Sequence, residues 1–106
     1  MRIILTTTPP DVAPQLARTL LEEKAIACCN IVPAVTSMYW WNGTITTDGE
    51  SLLVIKTAAE RVELVMDRIQ ELHPYEVPEI VVLPVEAAHQ GYARWVRETC
   101  RATLED

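Results

Sequence analysis

"TSMYWWNGTITT", residues 36–47, reads as two strands folded back on each other about Asn42-Gly43. Both turn residues accept positive φ, which a two-residue hairpin needs if its twist is to match that of the flanking strands. Around them Thr36, Tyr39, Trp40, Trp41, Thr44 and Ile45 are β-branched or aromatic, the side chains that suit a pleated, half-buried surface. An antiparallel pair therefore sits near the middle of the chain, and the rest is organised about it.

Towards the N-terminus, residues 26–32 extend the first strand of the pair. Pro33 interrupts that strand and predicts a bulge or bend, because proline cannot donate to a ladder. Towards the C-terminus, Asp48-Gly49 predicts a turn or bulge before a strand over Ser51–Lys56. Thr57-Ala58-Ala59-Glu60 has the form of a capping box. Val62, Val65, Met66, Ile69 and Leu72 then form the apolar stripe of a helix, which Pro74 ends at His73.

Upstream of the hairpin, Asp11 is the expected N-cap of a helix over 12–24, with Pro14 in its first turn. The outermost elements are strands over 2–8 and 79–85 and a last helix over about 91–103, marked by Tyr92, Trp95, Val96 and Cys100. The order β-α-β-β-α-β-α spells an α+β, ferredoxin-like βαββαβ sandwich with an antiparallel sheet and a C-terminal helix, one domain over residues 1–106. Right-handed crossovers put both crossover helices on one face of the sheet.

The other face then poses a problem. A sheet covered on one side should alternate apolar and polar residues. Ile3-Ile4-Leu5, Leu52-Leu53-Val54-Ile55 and Ile80-Val81-Val82-Leu83 are unbroken apolar runs. Successive side chains point to opposite faces, so both faces want burial. One short third helix, about 10 Å wide, cannot shield four strands spaced about 5 Å apart. The expectation is an obligate homo-oligomer with sheet facing sheet.

Composition narrows the function. The net charge of −6 disfavours nucleic acid, whose phosphates call for a basic face. Arg94, Arg97 and Arg101 recur at helical spacing near Glu98 and read as a solvated helix face. No apolar run approaches the roughly 20 residues of a membrane span. The first residues turn polar too quickly for a signal peptide, and Cys28, Cys29 and Cys100 make an odd count, so a cytoplasmic protein with reduced thiols is expected. No His-Glu-x-x-His, Gly-x-Ser-x-Gly or Gly-rich phosphate loop occurs, and with three glycines a backbone phosphate cradle is hard to build.

Several spaced motifs taken together resemble one family. Ala27-Cys28-Cys29-Asn30-Ile31-Val32-Pro33, Ser37-Met38-Tyr39-Trp40-Trp41-Asn42-Gly43, Glu50, Lys56-Thr57 and His73-Pro74-Tyr75-Glu76-Val77-Pro78-Glu79 are similar in kind and order to CutA, the divalent-cation-tolerance family. The resemblance covers almost the whole chain. It implies a ferredoxin-like homotrimer with a role in tolerance of copper(II) or another divalent cation, and no catalysis. The family's proposed copper ligands are a cysteine late in the first strand and a histidine pair before Pro-Tyr. These positions are Thr6 and Leu72-His73 here, which leaves His73. The family's recurring pocket residues at subunit junctions match Tyr39, Trp41, Glu50, Lys56, Tyr75 and Glu79.

Each candidate has a plainer reading beside the functional one. His73 is either a metal ligand through a neutral imidazole or a helix C-terminal residue suited to the dipole. Cys28 is either a soft-metal ligand or a small buried hydrophobe, and its neighbour Cys29 must face the other way. Glu50 and Lys56 share a face if no bulge intervenes. They form either a solvated pair or an intersubunit site in which Lys56 holds a small anion that Glu50 or Glu79 orients. Tyr39 and Trp41 pack an interface or stack on a ligand. Three functions follow: a metal-tolerance trimer, a small-molecule sensor or partner-docking module using the junction pockets, and an enzyme working through Tyr75, Lys56 and Glu79.

Overall fold

The hairpin dominates the computed structural model, which describes residues 1–101. Its strands are the longest elements: β2 is Cys28–Trp41 and β3 is Thr44–Thr57. Asn42 (φ 49°) and Gly43 (φ 76°) both take positive φ, as the turn chemistry requires. That two-residue turn sets the register, with Trp41 opposite Thr44, Ser37 opposite Asp48 and Val35 opposite Glu50. The expected irregularity at Pro33 is present: the register shifts between Val32 and Val35. The Ser51 hydroxyl donates to the freed Pro33 carbonyl at 2.9 Å. The turn or bulge expected at Asp48-Gly49 is absent. Both residues pair in a regular ladder with β2, because the Asn42-Gly43 turn has already fixed the register.

β1 (Arg2–Thr8) lies antiparallel to Ser51–Thr57 of β3 on one side and to β4 (Val81–Pro84) on the other. The sheet order β2-β3-β1-β4 is the ferredoxin-like arrangement. β4 is shorter than the expected 79–85. Ile80 packs on the core and Glu79 lines a cavity instead of joining the ladder.

The helices are α1 (Ala13–Glu22), α2 (Val62–Leu72, entered through one 3-10 turn at Ala59–Arg61) and α3 (Gln90–Arg101). Two caps differ from expectation. Val12, not Asp11, is the N-cap of α1 and has no side-chain cap; its N–H donates to Pro9 at 3.0 Å, so a backbone turn leads into the helix. The Thr57–Glu60 capping box does not form. Thr57 ends β3, and its buried hydroxyl donates to the Ala25 carbonyl at 2.7 Å. α1 ends with Lys24 at φ 59°, the Ala25 N–H reaching the Leu20 carbonyl and the Lys24 N–H that of Leu21. This is a Schellman stop with lysine where glycine is usual. Residues 102–103 of the expected last helix lie outside the described residues.

Ile4, Leu53 and Ile55 on one sheet face are fully buried with Leu20, Val65 and Ile69 of the helices. Each such side chain stabilises the fold by about 1.5–3 kcal/mol. The opposite face is bare over much of its area: Ile3, Leu5, Leu52 and Val54 are half-buried, and Val81, Leu83 and Val32 are about 40% exposed. α3 covers only one end, where Val96 and Cys100 pack with Ala27 and Ala58 and Tyr92 meets Cys28. No described helix is long and apolar enough to cross a membrane.

Candidate functional site

The hairpin outruns β1, which pairs with β3 only as far as Ser51. Beyond that point a cavity of about 810 Å3 opens between the hairpin arm and residues 75–79. Strand alternation places Ser37, Tyr39 and Trp41 of β2 and Asp48 and Glu50 of β3 on one face of the arm, and all five line the cavity. Thr7 of β1, Tyr75 and Glu79 line it from the other side.

His73 holds the Tyr75 wall in place. Pro74 ends α2, leaving His73 extended (φ −78°, ψ 137°) and only 6% exposed. The Tyr75 N–H donates to Nδ1 at 3.1 Å, so Nε2 carries the proton and donates to the Thr7 carbonyl at 2.8 Å. The imidazole is thereby fixed as one neutral tautomer, and its ring lies 4.6 Å from that of Tyr75. The Tyr75 hydroxyl then donates to Glu50 Oε2 at 3.0 Å, while the Tyr39 hydroxyl donates to Asp48 Oδ2. Burial first, and then the Glu50 hydrogen bond, push the Tyr75 phenol up to about 12. Tyr39 is raised chiefly by its bond to Asp48. Both phenols therefore serve as hydrogen-bond donors near neutral pH.

Glu50 is the most buried acid of the cavity, at 5% exposure. Its second carboxylate oxygen has no hydrogen-bond partner among the described residues. Asp48, Glu50, Glu76 and Glu79 all line the cavity, and no lysine, arginine or histidine does.

Five of the six junction residues, Tyr39, Trp41, Glu50, Tyr75 and Glu79, are thus brought together within one chain. Lys56 is not. It shares the face of Glu50 but stands six residues along β3, about 20 Å by strand rise, and its ammonium donates to the Asn30 side chain. Asp48 is the site residue that sequence reading passed over. Its signal was the hairpin register, which sets it opposite Ser37.

The groups present were tested against a divalent metal. Both ring nitrogens of His73 are engaged within the protein. Cys28 lies on the open face beside Tyr92, whereas Cys29 faces the core, its thiol pushed up to about 11 chiefly by burial. Thr6 is buried with an unpaired hydroxyl, but on the helix-covered face. Among the described residues, no three His, Cys, Asp or Glu side chains converge in a way that could hold a metal ion. The described residues of one chain do not fit a soft transition-metal centre.

Residues 2–99 match the family model described as "CutA1 divalent ion tolerance protein". A relative from Thermus thermophilus, named "Divalent-cation tolerance protein CutA", is 42% identical over 91% of the chain and 93% of its own length. The human "Protein CutA" is 42% identical over 95% of the chain; the chain spans 56% of that longer relative. A solved structure titled "PII-like protein CutA from Nostoc sp. PCC 7120 in apo form" superposes with a TM-score of 0.91 at 38% identity, covering 94% of this chain and 97% of that one.

Proposed function

Because the chain belongs to the CutA1 divalent ion tolerance family, we propose that it is a non-catalytic, homotrimeric divalent-cation-tolerance protein whose working site is the cavity under the hairpin arm. The observation that carries this reading is Glu50: a carboxylate withdrawn from water, half-satisfied by Tyr75, at a cavity bordering an apolar sheet face left without cover. Subunits meeting through their open faces would bury Leu5, Leu52 and Val54 and set the arm of each against its neighbour. Exposed Met38, Trp40 and Ile45 on the far side of the arm call for the same cover.

Copper(II) or another divalent cation is then bound or sensed through donors drawn from more than one subunit, since no single described set converges. The contributions of His73 and Cys28 and the entry of a neighbour's Lys56 into the junction belong to this same proposal. We place the protein in the cytoplasm, in keeping with three cysteines that form no disulfide.

A second reading, a small-molecule sensor, is favoured by the size and aromatic wall of the cavity, which match ligand pockets better than bare metal sites. It also agrees with the "PII-like" title of the Nostoc structure. Calorimetry on the intact oligomer separates the two. A saturable copper(II) isotherm, lost in Glu50→Gln or His73→Ala, supports direct metal handling. Saturation by an organic ligand with no copper(II) isotherm supports the sensor.

A further inference from the structure

We infer that the cavity under the hairpin arm takes a small organic cation, a primary ammonium on an apolar body, between the Glu50 carboxylate and the Tyr39, Trp41 and Tyr75 rings. The inference rests on the sensor reading and names its ligand class.

Three features of the cavity converge on that chemistry. The first is charge. Four carboxylates and no basic side chain line the space, which repels an anion, the ligand class the sequence suggested. The second is the state of Glu50. At 5% exposure its carboxylate is largely stripped of water, and only Oε2 is bonded, to Tyr75. Lys56, the cation sharing its face, is bonded to Asn30 at the other end of β3. A carboxylate so placed gains most from a donor that arrives with positive charge. The third is the wall. Aromatic faces attract a cation that has left water, and Val77 and Pro78 offer apolar surface to the rest of its body. A hydrated metal ion has no use for such a wall, and about 810 Å3 lies within the range of organic ligand sites.

The pairing of the tyrosines sharpens the ligand. Both phenols give their protons to carboxylates, Tyr39 to Asp48 and Tyr75 to Glu50. These two tyrosine–carboxylate pairs therefore direct acceptors towards the cavity. A ligand of primary ammonium type, with three N–H donors and no acceptor, is complementary.

The test is calorimetry on the assembled protein with three probes of like shape: phenethylammonium, 2-phenylethanol and 3-phenylpropanoate. Phenethylammonium should bind saturably at least tenfold tighter than the alcohol, and the carboxylate should not saturate. Glu50→Gln should weaken phenethylammonium about 10- to 100-fold, as expected for losing a charged hydrogen bond, and leave the alcohol unchanged. Trp41 is 61% exposed, so Trp41→Leu spares the fold; it should weaken the cation about two- to fivefold and gives the reading should Glu50→Gln fail to assemble. Lys56→Ala should not tighten the binding of phenethylammonium; a tenfold gain would show that a neighbour's ammonium is the natural occupant and overturn the inference. Equal binding of ammonium and alcohol, or preference for the carboxylate, overturns it too. Saturable copper(II) or anion binding without phenethylammonium binding overturns this inference and leaves the cavity as the working site. Failure of every probe, with Glu50→Gln silent, removes both.

Discussion

The two faces of the sheet are built from the same strands and nearly the same side chains, yet they end in different states. On one, Ile4, Leu53 and Ile55 are sealed beneath α1 and α2. On the other, Leu5, Leu52 and Val54 alternate with them along the same ladders and remain half in water. Chemistry does not separate Leu52 from Leu53; what separates them is which face the crossover helices cover. Handedness puts both helices on one side, so the second apolar face is left without cover. The cavity lies where that open face meets the hairpin arm, which is why its acids are neither core nor plain surface.

The largest effect should come from charging the open face. Val54→Asp would bury an unpaired carboxylate in the proposed junction, costing several kcal/mol per subunit. Light scattering behind a sizing column should show assembly lost. If the variant assembles like the parent, the open face is not the junction.

Next comes the pair Leu53→Ala and Leu52→Ala. The first opens a cavity in a core complete within one chain and should cost about 2–5 kcal/mol at any protein concentration. The second should lower Tm by an amount that grows on dilution, because in the proposed trimer its neighbours belong to another subunit. Concentration-independent melting in both would erase the distinction between the faces.

His73→Ala should cost about 1–3 kcal/mol through the Tyr75 N–H and Thr7 carbonyl it leaves unpaired. Free of its anchor, Tyr75 should lose its high titration midpoint, which absorbance at alkaline pH would follow. An unmoved midpoint would mean that Glu50 alone fixes the ring.

The smallest effect concerns Glu23 on the covered side, well away from both faces. The Arg68 hydrogen bond holds its carboxyl below the ordinary value against a small opposing effect of burial. A depressed carboxylate contributes stability above its unfolded pKa and loses it as pH falls through the folded one. The loss should appear below about pH 4.3 and amount to less than about 1 kcal/mol, since Glu23 is 38% exposed and screened. A Glu23→Gln and Arg68→Ala double-mutant cycle followed by acid melting would measure it.

The fold was legible because its signals are local and agree: Asn42-Gly43 for the turn, Pro33 for the bulge, Pro74 for the end of α2. Family resemblance agreed with them, and the match over residues 2–99 confirmed it. Local signals misled where a longer-range partner outbid them. Asp48-Gly49 has turn chemistry but sits inside a ladder whose register was set six residues earlier. Thr57 has cap chemistry but finds the Ala25 carbonyl. The same error concealed Asp48 as a cavity residue. Lys56 was read with Glu50 as part of an intersubunit site; within one chain their shared face leaves them about 20 Å apart. The occupied nitrogens of His73 were out of reach of sequence, since one partner, Thr7, comes from the first strand.

Sedimentation equilibrium of the unmodified protein at micromolar concentration tests the central claim most directly. The account predicts a single species of three times the 11.9 kDa chain mass, with no folded monomer on dilution until structure itself is lost. A folded, soluble species of one chain mass, stable at those concentrations, would contradict it.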